Sequence, residues 1–222
     1  MFASFENNAA DVKIVGIGGA GSNAISFMLS KGIPGVEFIV MNTDSDALKA
    51  NSCSKKVLLK RVGEMEGPLL GQQSVIASQD DVVDAIFDAR VIILVAGMGG
   101  NTATSALPIM AEMAKEMDVF VICMVTMPLA FEGEKRTESA RKSVARLRTI
   151  ADNVIVFQTG KDSSLNISMA EAFERVNDAM FQGAQYISGL LAGDTSNMDD
   201  EDFKFFRHCI KKHTFLFGTC RL

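Results

Sequence analysis

The stretch VKIVGIGGAGSN, residues 12–23, decides the fold class of this chain. Its first six residues are mostly apolar and β-branched, which predicts a strand, and residues 23–30 predict a helix. Between them, Gly16, Gly18 and Gly21 fit the pattern G-x-G-x-x-G. A backbone without Cβ atoms lets a phosphate approach closely, and the N–H groups at a helix start attract its negative charge. Because glycine also suits a tight strand-to-helix turn for packing alone, this motif by itself does not decide between the two interpretations.

A second glycine-rich turn follows another predicted strand. Residues 91–96 form an unbroken apolar run, as expected of a strand that is buried on both faces of a parallel sheet. Gly97, Met98, Gly99 and Gly100 come next. Because the carboxyl ends of parallel strands lie at one edge of the sheet, we expect the two turns to lie side by side. Two such turns suit a ligand with several phosphates.

Other nucleotide-binding classes fit less well. The chain has no G-x-x-x-x-G-K-[ST] stretch, which argues against a P-loop NTPase. An NAD(P) oxidoreductase would use the first turn, with Asp44 as the carboxylate on the ribose, but it would leave the second turn unexplained. Thr102 and Thr104 are predicted to add hydroxyl donors to that second turn.

The rest of the chain alternates strands with helices. Further strands are predicted at residues 36–41, 57–59, 119–125 and 154–157. Further helices are predicted at residues 75–89, from the second glycine turn to about Met117, at 138–151 and from 168 onward. Ser168 and Glu171 have the spacing of a capping box at the start of the last helix, and Gly193 would end it. Residues 51–73 are predicted to be mostly loop. This order predicts an α/β fold, a Rossmann-like three-layer sandwich around a mainly parallel sheet.

Composition narrows the function classes. The 222 residues are 48% hydrophobic and 22% charged, which is typical of one globular domain, and the formal net charge of -5 argues against a nucleic-acid partner. Four cysteines without a CxxC pair, and only two histidines, argue against a metal site. The first ten residues have no signal-peptide pattern, and the longest apolar run, residues 119–130, is too short to enter and span a membrane. We therefore expect a cytoplasmic protein.

Four separate loops resemble those of one family, in the family's order. They are Gly18-Gly19-Ala20-Gly21-Ser22-Asn23, Asn42-Thr43-Asp44, Gly97-Met98-Gly99-Gly100 and Phe131-Glu132-Gly133-Glu134-Lys135-Arg136. Together they resemble the GTP-binding domain of FtsZ, the prokaryotic branch of the tubulin superfamily, over residues 12–218. The resemblance implies a cytoskeletal GTPase-type domain of bacterial cell division that polymerises. It implies GTP or GDP as the ligand, leaves Mg²⁺ open, and implies as partner a copy of the chain itself or a full-length FtsZ-type protein.

The resemblance also divides the chain. Residues 1–11 would be an irregular segment, and residues 12–193 the GTP-binding domain with its long last helix. Residues 194–222 would hold an acidic loop, a short helix and the first strand of a second domain that is otherwise missing from this sequence.

The resemblance assigns nucleotide contacts residue by residue. The phosphates would be held by the two turns, at Gly18, Gly19, Ala20, Gly21, Gly97, Met98, Gly99, Gly100, Asn101 and Thr102. Asn42 and Thr126 would lie near phosphate and sugar, with Pro128 beside them. Glu132 and Arg136 would contact the ribose, although they could equally form a surface ion pair. Phe173 would stack on the guanine, with Asn177 and Asn23 at its edge, although a phenylalanine on a helix stripe is ordinarily part of the core.

Catalytic residues are implied after the last helix. Asn197, Asp199 and Asp202 match an N-x-D-x-x-D loop, which in the FtsZ family enters the nucleotide pocket of the next subunit and orients the attacking water. Hydrolysis would then require assembly of subunits. The same acidic run could instead be a solvated helix start.

Several positions depart from the family pattern. Asn101, Ala103 and Ser105 replace three glycines of the second turn. Residues 61–68 carry Glu64 and Glu66 where the γ-phosphate is expected, and residues 159–160 replace an Asn-Asp pair on the guanine side. These departures leave GTPase activity undecided. They support an alternative function, a catalytically degenerate FtsZ-like module that modulates or caps filaments.

Overall fold

The computed structural model describes residues 12–63, 69–158 and 168–192. Its centre is one parallel sheet of six strands in the order β3-β2-β1-β4-β5-β6. The strands are β1 (Val12–Ile17), β2 (Val36–Asn42), β3 (Lys55–Leu58), β4 (Val91–Gly97), β5 (Phe120–Thr126) and β6 (Asn153–Phe157). The chain moves outward from β1 to β3 and then returns to β4 beside β1. This reversal opens a crevice at the carboxyl ends of β1 and β4, where ligands of such sheets bind.

Seven helices connect the described strands or follow them. They are α1 (Gly18–Lys31), α2 (Ser45–Ala50), α3 (Leu69–Ala77), α4 (Gln79–Ile86), α5 (Ala103–Glu116), α6 (Glu134–Ile150) and α7 (Met169–Ala192), with a short 3-10 helix at Ala130–Glu132. None of the helices in the described ranges is long and apolar enough to cross a membrane.

The sheet is covered on both faces, which explains its apolar strands. Alternate residues of β1 point to opposite sides, so that Val15 packs with the α3–α6 side and Ile14 with the side of α1 and α7. In β4 all six residues 91–96 are buried for the same reason. The predicted three-layer α/β sandwich is confirmed.

Local boundaries differ from the prediction in several places, among them α6, which begins four residues before the predicted start at residue 138. The helix α1 begins at Gly18, so the first glycine turn is itself the first turn of the helix. The predicted helix at residues 75–89 is two helices, and part of the predicted loop at 51–73 belongs to the first of them. They separate at Ser78, whose hydroxyl accepts a hydrogen bond from the Lys60 N–H at 2.8 Å. Sequence periodicity could not reveal this contact because its partner lies in another element.

Side-chain caps mark the starts of two helices, α7, which the sequence predicted, and α2, which it did not. Ser168 and Glu171 form the predicted capping box: the Glu171 N–H donates to the Ser168 hydroxyl at 3.2 Å, and the Ser168 N–H donates to the Glu171 carboxylate at 2.8 Å. The Ser168 hydroxyl also donates to this carboxylate at 3.0 Å, and the two bonds from Ser168 to the carboxylate lower the pKa of Glu171. The short α2 was not predicted. It begins after Asp44, whose carboxylate accepts from the N–H groups of Asp46 and Ala47.

A buried lysine ties the opposite edge of the sheet together. Lys13 on β1 is only 3% exposed, and its Nζ donates to the Phe87 carbonyl at 2.7 Å and to the Asp88 carboxylate at 2.7 Å. Glu37 on β2 is 3.3 Å away and also pairs with Lys55. Asp88 lies two residues beyond the end of α4, with a φ of 66°, and so is not part of the predicted acidic helix face.

Candidate functional site

The two glycine turns are in contact at the carboxyl edge of the sheet, as predicted. A Cβ atom added to Gly97 would lie 2.6 Å from the Cβ of Ala20. A Cβ on Gly18, where φ is +69°, would lie 3.6 Å from the Cβ of Ala103. The start of α1 and the start of α5 therefore form one continuous surface between β1 and β4.

The glycines of these turns differ in what an added Cβ atom would meet. A Cβ on Gly21 would be 2.5 Å from the Val95 carbonyl oxygen, so this glycine allows α1 to pack on β4. Gly16 is also required for packing, because its Cβ would lie 2.5 Å from the Gly21 carbonyl oxygen. Gly19 and Gly100 are different, since an added Cβ would meet nothing within 4 Å. Both are exposed, and they leave backbone open to a ligand on this surface.

Unused amide groups also meet here. The first N–H groups of a helix, before its first i→i+4 bond, have no partner within the helix, which applies to residues 18–20 of α1. In the second turn, Gly100, Asn101 and Thr102 donate no backbone N–H to another residue of the described ranges. Successive free N–H groups around a turn form an anion-binding concavity.

The backbone N–H groups of two other residues in the second turn are hydrogen-bonded within the protein. The Met98 N–H donates to the Thr126 carbonyl at 2.9 Å, and the Gly99 N–H donates to the Thr104 hydroxyl at 2.8 Å. Thr104 is buried, and its hydroxyl oxygen is the acceptor of the Gly99 bond, while its predicted role as a donor to a ligand stays a prediction. Thr104 supports the turn from below.

The three replaced glycines are compatible with the turn. Among the described residues other than glycine, only Asp88 and Asp118 have positive φ, so Asn101, Ala103 and Ser105 have ordinary backbone conformations. The turn therefore does not require glycine at these positions.

The end of β2 lies against the second turn. The Thr43 and Thr102 hydroxyl oxygens are 3.1 Å apart, close enough for a hydrogen bond. Asn42 is buried, and its side-chain oxygen accepts from the Asp44 N–H at 3.2 Å. Hydrogen bonds from the Ala47 and Asp46 N–H groups lower the pKa of the Asp44 carboxyl. The carboxylate that an NAD(P) site would use on the ribose is thus engaged as a helix cap.

The segment after β5 lies on the other side of the second turn. A Cβ on Gly99 would be 2.6 Å from Pro128 and 3.4 Å from the Cβ of Arg136. The Arg136 guanidinium pairs with Glu132 at 2.8 Å, and the other Glu132 oxygen accepts the Leu129 N–H at 2.9 Å. The ion pair considered from the sequence is therefore present, and it lies beside the turn.

The predicted base-side residues lie on helices that contact each other. Phe27 of α1 and Phe181 of α7 form an edge-to-face pair with ring centroids 6.5 Å apart. Asn23 precedes Phe27 by four residues, so both lie on one face of α1. Phe173 and Asn177 precede Phe181 by eight and four residues and share its face of α7. Phe173 is 49% exposed, so the core interpretation of this residue is wrong.

Several predicted residues lie outside the described ranges. These are the proposed catalytic residues and the departures near the γ-phosphate and guanine: Asn197, Asp199, Asp202, Glu64, Glu66, Thr159 and Gly160. Within residues 12–63, 69–158 and 168–192, no group of three or more His, Cys, Asp or Glu side chains could hold a metal ion.

Sequence reasoning missed two hydroxyl groups that join loops, those of Thr43 and Ser105. Thr43 follows β2, and a polar residue directly after a strand of a parallel sheet is a usable signal, since all such ends share one edge. Ser105 accepts a hydrogen bond from the Gln72 N–H, 33 residues away in the chain, and no sequence signal indicates this pairing.

Comparison with known proteins agrees with this geometry. The profile described as "Tubulin/FtsZ family, GTPase domain" matches residues 11–161, more than half of the chain. A W319Y mutant of FtsZ from M. jannaschii is similar with a TM-score of 0.79 and 26% identity, covering 90% of this chain and 62% of that one. An empty FtsZ dimer from M. jannaschii has a TM-score of 0.79 and 27% identity, with 91% and 61% covered. The GTPγS-bound protofilament of CetZ2 from Haloferax volcanii has a TM-score of 0.71 and 26% identity, with 87% and 62% covered.

This chain spans about six tenths of the length of these three structures. The family profile and the FtsZ and CetZ2 structures agree on the part that it contains. The chain belongs to the Tubulin/FtsZ family and carries the GTPase domain of that family.

Proposed function

We propose that this domain binds GTP or GDP at the joined glycine turns. The observation that carries the proposal is the pair of exposed glycines, Gly19 and Gly100, each with open space where a Cβ would be. They lie on turns that are in contact and that present unused N–H groups. A polyphosphate has the charge and the length to take hydrogen bonds from both turns.

Guanine recognition would follow from α1 and α7. The exposed Phe173 ring supports base stacking, and Asn177 and Asn23 supply donors and acceptors for the base edge. Phe173 lies near the start of α7, eight residues or about 12 Å along the helix before the contact of Phe181 with α1. The similarity to CetZ2, whose structure holds GTPγS, supports the same ligand class.

The sugar would lie between the second turn and α6. Glu132 and Arg136 form an ion pair next to Gly99 and Pro128, and Thr126 lies at the end of β5 on this side. A carboxylate beside a guanidinium can accept from ribose hydroxyls while the guanidinium donates to an oxygen. Mg²⁺ would be held mainly by phosphate oxygens and water, the ligands that this ion usually retains.

Hydrolysis would depend on assembly, as part of a cytoplasmic filament system of the cell-division type. Asn197, Asp199 and Asp202 of one chain would orient the water that attacks the γ-phosphorus of the nucleotide on the next chain, in line with the bond to the departing GDP oxygen. The similarity to an FtsZ dimer and a CetZ2 protofilament supports a copy of the chain, or a longer relative, as the partner.

Ligand-dependent stability tests the binding proposal. The protein is melted with GDP, GTP, ATP and NAD, and we expect the two guanine nucleotides to raise the melting temperature most. A ligand at a hundred times its Kd stabilises by about 2.7 kcal/mol. No stabilisation by either guanine nucleotide would overturn the proposal, and stabilisation by NAD alone would support an oxidoreductase.

Turnover tests the assembly proposal separately. GTP hydrolysis per chain is expected to rise with protein concentration and to be lost in Asp199→Ala. Binding without turnover at any concentration would contradict the hydrolysis part and would match a module that caps filaments.

A further inference from the structure

Ser105, near the start of α5, joins two elements beside the second glycine turn. Its hydroxyl oxygen accepts a hydrogen bond from the Gln72 N–H of α3 at 3.2 Å. The same hydroxyl donates to the carbonyl oxygen of Asn101 at 3.3 Å. One O–H donor and an oxygen lone pair are both used, so the geometry is chemically consistent.

The bond to Asn101 sets the direction of one peptide group. A trans peptide is planar, and its C=O and N–H point in opposite directions. With the Asn101 carbonyl held on the Ser105 side, the N–H of Thr102 points away from α5. This N–H is one of the three unused donors of the turn.

The contact with α3 is close on the backbone as well. A Cβ added to Gly71 would overlap the Thr102 carbonyl group and lie 2.7 Å from the Ser105 hydroxyl oxygen. On the other side, the Thr102 hydroxyl is 3.1 Å from that of Thr43. The turn is thus braced from two directions, and Ser105 supplies the only side-chain hydroxyl among the described residues that bonds both the turn and α3.

We propose that Ser105 is a positioning residue for polyphosphate binding, which rests on the proposed function. It holds the Asn101–Thr102 peptide so that its N–H faces the phosphates. The FtsZ pattern has glycine at this position, which carries no hydroxyl, so the device belongs to this chain and not to the shared motif.

The test compares a ligand that has phosphates with one that lacks them. GDP and guanosine affinities are measured for the wild type, Ser105→Ala and Ser105→Thr, with guanosine followed by displacement of a fluorescent GDP analogue. Ser105→Ala is expected to weaken GDP about threefold to tenfold, the loss of one hydrogen bond, and to leave guanosine unchanged. Ser105→Thr keeps the hydroxyl and is expected to restore the ratio of the two affinities.

Ser30→Ala is the matched control. The Ser30 hydroxyl donates to the Phe27 carbonyl at 2.7 Å on the exposed far end of α1, and its removal is expected to change neither affinity. Melting temperatures of all variants separate a loss of folding from a loss of positioning.

Each outcome has a distinct consequence. An unchanged GDP-to-guanosine ratio in Ser105→Ala, whether both affinities fall or neither does, overturns the role of Ser105 and leaves the proposed function intact. A wild type that binds neither ligand overturns the proposed function, and this inference with it.

Discussion

Two glycines of the same turn, Gly19 and Gly21, are predicted to respond in opposite ways to one added methyl group. The Cβ of Gly19→Ala meets nothing within 4 Å, and φ is in the ordinary range, so the fold accommodates it. Alanine also favours a helix by up to about 0.5–1 kcal/mol over glycine. The methyl group lies on the open surface of the turn, where a phosphate would approach.

Gly21→Ala has the opposite geometry. Its Cβ would lie 2.5 Å from the Val95 carbonyl oxygen, far inside the 3.4 Å of an ordinary contact, and backbone on both sides must move. Overpacking of this kind costs typically about 1–3 kcal/mol. In a protein of this size that lowers the melting temperature by roughly 2–12 °C.

The assay combines thermal melting with calorimetric titration of GDP. Gly19→Ala is expected to melt at or slightly above the wild-type temperature and to bind GDP at least about tenfold more weakly, equivalent to about 1.4 kcal/mol. Gly189→Ala is the matched control, because Gly189 is an exposed helical glycine of α7 with nothing within 4 Å. Wild-type GDP affinity in Gly19→Ala would refute the placement of the phosphates. A wild-type melting temperature in Gly21→Ala would refute the packing argument.

Three further predictions concern other parts of the domain. Lys13→Met should lower the free energy of unfolding, measured in urea, by about 2–3 kcal/mol, because its acceptors lose a buried charged donor. Lys49→Met removes an exposed ion pair and should change this free energy by less than about 0.5 kcal/mol. Equal effects of the two substitutions would contradict a structural role for the buried lysine. Phe173→Ala should weaken guanosine binding about fivefold to a hundredfold with little change in melting temperature. Phe87→Ala, which removes an exposed ring directly after α4, should leave binding unchanged. Unaltered affinity in Phe173→Ala would argue against stacking. The pKa of the Asp44 carboxyl is lower in the folded protein than its ordinary value of 3.8. The Asp44 cap should therefore contribute its full stabilisation of the fold at pH values well above 3.8, and lose it as the pH falls through the folded-state pKa. The stability difference between wild type and Asp44→Ala should therefore shrink in acid, and a difference that grows there would contradict this sign.

Much of the fold was predictable because its signals are local. The run at residues 91–96 is apolar at every position, which predicts a strand buried on both faces, and β4 is such a strand. The capping box of Ser168 and Glu171 marked the start of α7 within one residue. The break between α3 and α4 was missed because Ser78 is held by Lys60, a contact across elements.

The candidate site was predictable only in part. Parallel strand topology brought the two glycine turns together, as the sequence order predicts. The sequence could not tell Gly19 from Gly21, because both satisfy one pattern while their surroundings differ: open space in one case and the Val95 carbonyl in the other.

By itself, then, the sequence determined the alternation of strands and helices, the two glycine turns and the family to which they belong, since periodicity and motif order are properties of neighbouring residues. Only the tertiary structure decided which amides remain free, which hydroxyl groups brace the second turn and which aromatic ring is exposed. Those properties depend on distances between residues that are far apart in the chain, such as Gln72 and Ser105, and packing of the whole domain sets these distances.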